Sequence, residues 1–277
     1  MRKLGWLFRI AFGFLILLVI LAVIGPAISH PPFERVGGPY LPPSGEFWLG
    51  TDDQGRDVFS RLCYGARVSL GIGFAVQALA LVIGIGLGVT AVFGPKWLRS
   101  PILRLTDAMF AFPDVLLAIL IIGVWSATSA AQSLVAVVVS LAITAWPTVV
   151  RLVKTQVAAY KDREFVIASR ALGASTFYTV TRHVLPHLWG TLLAISIVDL
   201  AGIILAESAL SFLGIGVQPP VPSWGSMINQ ARQEMAGYPI LLLWPCLVLS
   251  LAIFSLNFVG EGLRSLTQPK SRTNAKS

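Results

Sequence analysis

Three acidic side chains lie inside long uncharged stretches of the sequence, at Asp114, Asp199 and Glu207. An ionised side chain at the centre of a membrane helix costs about 2.5–3.5 kcal/mol on insertion scales, so such residues are usually functional or paired. They either line a path for an amine or a metal cation, or form hydrogen bonds inside a helix bundle. For Asp199 both interpretations stay open. For Glu207, nearer a helix end, and for Asp114 the bundle is favoured. We take Asp199 and Glu207 as candidate residues of a translocation path through the membrane.

The sequence lacks the residue patterns that serve catalysis or metal binding. His183 and His187 are four residues apart, but Pro186 separates them and no third ligand is near. There is no Gly-x-x-x-x-Gly-Lys-Ser/Thr phosphate loop and no His-Glu-x-x-His motif. We therefore expect no catalytic residue, no metal site and no bound cofactor. The chain is predicted not to be an enzyme and not to hydrolyse ATP by itself.

The composition predicts an all-α integral membrane protein. Of 277 residues, 55% are hydrophobic and 12% are charged, against about 25% charged in soluble domains. About 20 apolar residues are needed to cross a membrane. Six transmembrane helices are predicted, at Ile10–Ser29, Val68–Phe93, 107–127, 133–151, Leu188–Leu213 and Ile240–Gly260. The first run also has the features of a signal peptide, but the five runs behind it favour an uncleaved helix.

The positions of the basic residues predict the orientation. If both termini are cytoplasmic, sixteen Lys and Arg residues lie inside and five outside. Cytoplasmic flanks of membrane helices carry such an excess. The protein is then embedded in membrane lipid, and its net charge of +8 comes from the basic flanks of its helices. No nucleic-acid partner is expected.

The outer segment 30–67 is predicted to be a Pro-rich loop followed by a short helix. Thr51-Asp52-Asp53-Gln54 has capping-box spacing. Apolar residues from Val58 to Ala66 fall on one helical face, and Arg61 and other polar residues fall on the opposite one. This pattern predicts an amphipathic helix lying at the outer interface, between transmembrane helices 1 and 2.

The inner segment 152–187 is longer than a connection between neighbouring helices needs. Glu164 to Gly173 is predicted to be a short helix with Phe165, Ala168 and Leu172 on one face and Gly173 at its end. Leu185-Pro186 is predicted to break the chain before the fifth span. The pattern alone leaves two interpretations open, a docking element and a helix resting on lipid.

Several separated motifs resemble those of binding-protein-dependent ABC transporter permeases of the dipeptide/oligopeptide/nickel subfamily. Ala168 to Gly173, followed after nine residues by His183-Val184-Leu185-Pro186, resembles the EAA loop of these permeases. The other similar stretches are Leu49–Leu62, Gly65–Leu70, Phe112-Pro113, Leu210–Gly214 and Pro222–Gly225. The resemblance covers about residues 48–267. It departs from the family at Ile167, where the loop has Glu, so that Glu164 is the nearest acid, and Ser169 replaces an Ala.

The resemblance implies that several different subunits carry out transport together. This chain would pair with a second, homologous permease, and an external binding protein would deliver the substrate. Two partner ATPase subunits would bind ATP and Mg. The residues implied to couple this chain to the ATPase are Glu164, Ala168, Ser169, Ala171, Gly173, Leu185 and Pro186.

The expected function is that of a multi-pass permease in the bacterial inner membrane that carries a small peptide. Nickel or a nickel chelate is the alternative cargo. A secondary transporter is the alternative of another class, but it commonly has an inverted repeat, and none stands out here. The expected organisation is an N-terminal helix with the outer segment (1–67), a permease core of five transmembrane helices (68–267) and a cytoplasmic tail (268–277).

Overall fold

A computed structural model of the chain describes residues 5–125 and 127–267. Within these ranges the chain is helical, with no β-strand and one isolated β-bridge between Thr51 and Asp57. A π-helical segment, Val180–Val184, lies between the seventh and eighth helices. The helices are α1 (Trp6–Ile28), α2 (Val58–Phe93), α3 (Lys96–Met109), α4 (Asp114–Trp125), α5 (Ala130–Ala158), α6 (Glu164–Ala171), α7 (Thr176–Thr179), α8 (Leu185–Phe212), α9 (Trp224–Gln233) and α10 (Pro239–Thr267).

Five helical stretches of the described chain are long and apolar enough to cross a membrane. They are α1, α2, α5, the continuous stretch from α7 through α8, and α10. Helices α3 and α4, which are bent by 94° at the break between them, make a sixth candidate when they are taken together as one span. The prediction of an all-α protein with six passages is confirmed when this bent pair is taken as one.

The third passage differs in form from the predicted helix over 107–127. The helix breaks between Met109 and Asp114, because Pro113 has no N–H to donate and disfavours helical backbone at Phe112. Arg151 of α5 packs against this bend, with its guanidinium 3.9 Å from the centroid of the Phe110 ring. With 12 residues, α4 spans about 18 Å at 1.5 Å per residue. That is well short of the hydrocarbon layer of about 30 Å.

The predicted outer amphipathic helix is the beginning of α2 and not a separate element. This helix starts at Val58 and runs without a break to Phe93. The prediction of a capping box at Thr51 is wrong. Asp57 is the N-cap, and its carboxylate accepts the backbone N–H of Phe59. Ser60 and Arg61 were predicted to lie on a solvent-facing side, but they are 0% and 2% exposed.

Arg61 is buried because the outer segment and α9 close over it. Its Nε lies 3.3 Å from the carboxylate of Asp52. Its Nη1 donates to the backbone carbonyl of Pro32 at 3.2 Å, and its Nη2 donates to Oε1 of Gln230 at 3.3 Å. A buried guanidinium needs such partners for its donors. This side chain therefore joins three separate parts of the chain.

A second arginine, Arg67, holds α1 against α2. Pro26 lies inside α1 and has no N–H for the carbonyl of Ala22 four residues earlier. Arg67 supplies the missing donor, with Nε 3.1 Å from the Ala22 carbonyl and Nη2 3.2 Å from that of Val23. The proline in the first membrane helix is thus compensated by a side chain from the second.

Helix α2 is the centre of the bundle and contributes to all three buried apolar clusters. Four of its glycines lie against other helices, Gly65 against Trp224 of α9, Gly73 against Ile204 of α8, and Gly84 and Gly88 against Val149 and Val153 of α5. The other two, Gly71 and Gly86, face open space. Small residues let membrane helices approach closely, and here they do so on one side of the helix.

We expect Gly84→Ala to lower the thermal stability of the purified protein and Gly86→Ala to leave it unchanged. A Cβ at residue 84 would lie 2.5 Å from Cβ of Val149, whereas a Cβ at residue 86 would meet nothing within 4 Å. Overpacking of this kind costs about 1–3 kcal/mol. The melting temperatures of the two variants in the same detergent test this. Equal melting temperatures would contradict the proposed contact between α2 and α5.

Candidate functional site

The short helix α6 is ended by a hydrogen-bonding pattern that requires a left-handed residue. Gly173 has φ of +82°, which glycine adopts without steric cost. Its N–H donates to the carbonyl of Arg170, and the N–H of Ala174 donates to the carbonyl of Ser169. These two bonds form a Schellman motif. The prediction that the helix stops at Gly173 is confirmed.

Helix α6 has a buried side, which anchors it to the bundle, and an exposed side. Val166 is fully buried, and Ser169 Oγ lies 3.0 Å from Oγ1 of Thr179 in α7. Ile167 and Leu172 are 56% and 88% exposed. Most of the loop residues singled out in the sequence are therefore at the surface, including Glu164, Ala168 and Ala171. Ser169 is buried and belongs to the anchor, and Leu185 is half-buried.

The predicted break at Leu185-Pro186 is wrong, because the chain continues as helix through this point. The segment Val180–Val184 is a π-helix, and the N–H of Leu185 donates to the carbonyl of Val180 five residues earlier. Pro186 then occupies the first turn of α8, where a missing N–H is tolerated. The wider π-helical turn thus lets the proline be accommodated without a break.

Aromatic rings join α6 to the base of α8. The Phe165 ring lies 5.3 Å from the His187 ring with 18° between their planes. The His187 ring is also 6.0 Å from that of Tyr160, which precedes α6. The helix is consequently supported at its beginning by ring contacts with α8 and on its buried side by Val166 and Ser169.

A second site lies inside the bundle, where α2, α4, α5 and α8 surround an open cavity of about 310 Å³. Asp199, half-buried on α8, and Asp114, exposed at the beginning of α4, both line it. No Lys, Arg or His is among the residues that line it. The lining is Gln77, Asp114, Val115, Leu141, Thr144, Ala145, Thr148, Val149, Val198, Asp199, Gly202, Ile203 and Ala206. The cavity therefore favours a cationic group.

Glu207 lies elsewhere and does not line this cavity. It is 0% exposed, and its carboxyl oxygens accept hydrogen bonds from Ser69 at 3.0 Å and Ser211 at 2.8 Å. The Ser69 hydroxyl in turn accepts the backbone N–H of Trp224 at 3.2 Å. The geometry thus supports the second interpretation of this residue, a hydrogen-bonding role inside the bundle.

Gln77 belongs to none of the sequence motifs, and the structure places it in the cavity lining. Its side chain is 6% exposed, and neither its Oε1 nor its Nε2 has a hydrogen-bond partner among the described residues. An unpaired buried polar group costs about 1–3 kcal/mol. The available signal was a long carboxamide in the uncharged run Val68–Phe93.

The cavity and α6 are suited to contact different kinds of molecule. The cavity presents acids and a carboxamide to a solute, and α6 presents an exposed face to another protein or to solvent. No group of three or more His, Cys, Asp or Glu residues suited to a metal ion occurs in the part of the chain that the structure describes. The described geometry fits passage of a solute better than its chemical conversion.

Comparison with known proteins shows the family to which this chain belongs. Residues 80–273 match the family described as the inner membrane component of binding-protein-dependent transport systems. The chain is 34% identical to the dipeptide transport system permease protein DppC of Alkalihalophilus pseudofirmus, over 92% of this chain and 83% of that protein. It is 33% identical to the oligopeptide transport system permease protein OppC of Bacillus subtilis, over 93% and 84%. It is 37% identical to the di/tripeptide permease protein DppC of Pseudomonas aeruginosa, over 95% and 88%.

A solved structure shares the fold. The MetNI methionine ABC transporter contains a chain that aligns with a TM-score of 0.62 at 18% identity, covering 75% of this chain and 96% of that one. The fold resemblance and the family match agree with the predicted spans and with the motifs noted in the sequence. The chain therefore belongs to the inner membrane components of binding-protein-dependent transport systems, and it is a multi-pass permease subunit of an ABC transporter rather than an enzyme.

Proposed function

We propose that this permease carries small peptides and that the cavity between α2, α4, α5 and α8 is part of their path. The observation that carries the proposal is a lining that contains Asp114 and Asp199 and no cationic side chain. A peptide has an ammonium group at one end, which a carboxylate at this depth would stabilise. The names of the relatives, which are dipeptide, oligopeptide and di/tripeptide permeases, support the same substrate class.

The path is completed by other subunits. The cavity is open, and a second, homologous permease packed over the opening would close it. An external binding protein would deliver the peptide to the outer side. ATP and Mg belong to two partner ATPase subunits, since this sequence has no phosphate loop.

We also propose that α6 docks on an ATPase subunit and transmits its motion. Exposed apolar side chains such as Ile167 and Leu172 are covered in many proteins by a partner. Glu164, Ala168 and Ala171 lie in the exposed part of α6, and Ser169, Gly173, Leu185 and Pro186 fix how the helix is held. A displacement of α6 would reach the cavity through α8, because the Phe165 ring contacts that of His187 and Asp199 is on the same helix.

The proposed orientation has α6 and both termini in the cytoplasm, and the outer cap around Arg61 outside. The distribution of basic residues supports it, because the segments assigned to the inside contain sixteen of the twenty-one Lys and Arg residues. In this orientation the ATPase-facing helix and the binding-protein-facing loops lie on opposite sides of the membrane, as the mechanism requires.

We expect Gly173→Val to uncouple ATP hydrolysis from transport and Gly173→Asn to have a mild effect. A left-handed conformation costs most L-residues about 1–2 kcal/mol, and Asn less. A Cβ at this position would meet nothing within 4 Å, so the effect arises from the backbone. Retention of the ATPase subunits on purification, and stimulation of ATP hydrolysis by loaded binding protein, are the measurements. Wild-type values for Gly173→Val would remove the docking role from α6.

We expect Asp199→Asn to leave the complex assembled and to reduce dialanine import into proteoliposomes at least tenfold. Asn retains the shape and removes the charge, and a hydrogen bond to a charged group contributes about 1.5–3 kcal/mol. Asp107→Asn is the matched control, because Asp107 is exposed on α3 and forms only a surface ion pair with Arg151. A wild-type complex with its binding protein and ATP that imports no di- or tripeptide would refute the proposed function.

Labelling of single cysteines by a membrane-impermeant maleimide tests the orientation. In a chain whose Cys63 and Cys246 are replaced by alanine, Gln54→Cys should react in intact cells. Asp162→Cys should react only after permeabilisation. Both wild-type side chains are exposed, so accessibility to water is matched. Labelling of Asp162→Cys in intact cells would show that the proposed orientation is reversed.

A further inference from the structure

We propose that Gln77 is a substrate-contacting residue whose carboxamide hydrogen bonds to the backbone amide groups of the peptide. This inference rests on the proposed peptide transport and adds a residue and a division of roles to it. The carboxylates of Asp114 and Asp199 hold the ammonium group, and Gln77 holds the peptide bond. The relevant observation is a buried carboxamide that lines the same cavity as both acids.

The position of Gln77 is unfavourable unless a ligand meets it. With 6% of its surface exposed and neither amide atom bonded among the described residues, it leaves a donor and an acceptor unsatisfied. In a membrane protein such groups are retained where they line a cavity or meet a substrate. Its neighbours Val76 and Ala80 are fully buried apolar residues, so packing alone would be served by Leu or Met at this position.

The chemistry of the lining shows what Gln77 adds. Ionised carboxylates only accept hydrogen bonds, whereas a peptide bond presents one donor and one acceptor. The hydroxyl of Thr144 already donates to the carbonyl of Leu141 at 3.0 Å. A carboxamide offers both a carbonyl oxygen and an NH2 group. Because every peptide bond is alike, such a contact recognises the peptide backbone and not the side chains, which suits a path for peptides of varied sequence.

The surrounding packing holds Gln77 in place relative to α8. One turn before it, Gly73 lies against Leu200 and Ile204 of α8. Leu200 is the neighbour of Asp199 in the sequence. The close approach of the two helices therefore fixes the spacing between the carboxamide of one helix and the carboxylate of the other.

The test is Gln77→Met in the complete transporter, reconstituted with its partner permease, ATPase subunits and binding protein. Met keeps the length of the side chain and removes both polar atoms. We expect all subunits to be retained, ATP hydrolysis still to be stimulated by loaded binding protein, and dialanine import per ATP to fall at least tenfold. The melting temperature should stay the same or rise, because an unpaired polar group has been removed. Gln77→Asn, which retains a carboxamide, should recover part of the import.

The control is Asn257→Leu, which removes a carboxamide on α10 that lies outside the cavity and donates to the carbonyl of Ile253 in its own helix, and it should import at close to the wild-type rate. Unchanged import by Gln77→Met would overturn the proposal. So would a lower melting temperature or loss of a subunit, because Gln77 would then be bonded to protein in the assembled complex. If the wild-type transporter imports no peptide, the proposed function fails and this inference fails with it. Import by wild type but equally by Gln77→Met refutes the inference alone.

Discussion

The arrangement of α2, α8 and α9 depends on the hydrogen bonds around the buried carboxyl group of Glu207. Ser69 of α2 and Ser211 of α8 both donate to it, and Ser69 also accepts the N–H of Trp224 at the start of α9. No water is available inside a bilayer to replace such bonds, so these three helices can meet in one arrangement only. Asp199 precedes Glu207 by eight residues, which places it two turns away and about 80° around α8 at 3.6 residues per turn. Fixing one acid in the helix interface therefore directs the other towards the cavity.

The same need to satisfy polar groups away from water explains the contacts of Arg61 and Arg67. Arg61 is enclosed by the outer segment and α9, and Arg67 replaces a hydrogen bond that Pro26 removes from α1. In both cases a cation from α2 supplies donors to carbonyls or carboxylates of other segments. The segment 30–57, which covers Arg61, is thus held by polar contacts, while the helices are held by apolar packing and by glycines. Loops on a membrane surface need this kind of support because they share little of the apolar core.

The sequence could predict the features that depend on residues close together in the chain. Apolar runs located the five long spans and the region of the bent pair α3 and α4, and Gly173 identified the end of α6, because each of these features depends on residues close together in the sequence. Features that depend on distant partners were missed. Arg61 has the sequence context of a solvent-facing residue, and only the fold brings Pro32 and Gln230 to it. Pro186 was expected to end a helix, yet the π-helical turn before it absorbs the missing bond. Gln77 was overlooked because one polar residue hardly alters the hydropathy of a span, although its burial without a partner is the clearest feature of the cavity.

The shortness of α4 has a consequence for the energetic barrier that a charged solute meets. Its 12 residues account for about 18 Å of an apolar layer about 30 Å thick. Helix α3 is bent by 94° from α4 and so adds little to the depth that α4 crosses. It carries Lys96, Arg99 and Arg104, and such residues keep their heads hydrated. Hydrated groups therefore extend further into the protein here than beside the longer helices, and the stretch of low dielectric that an ion must cross is thinner at this point. The Born cost of moving an ammonium group into the layer falls accordingly, and Asp114, the first residue of α4, lies where that reduced barrier begins.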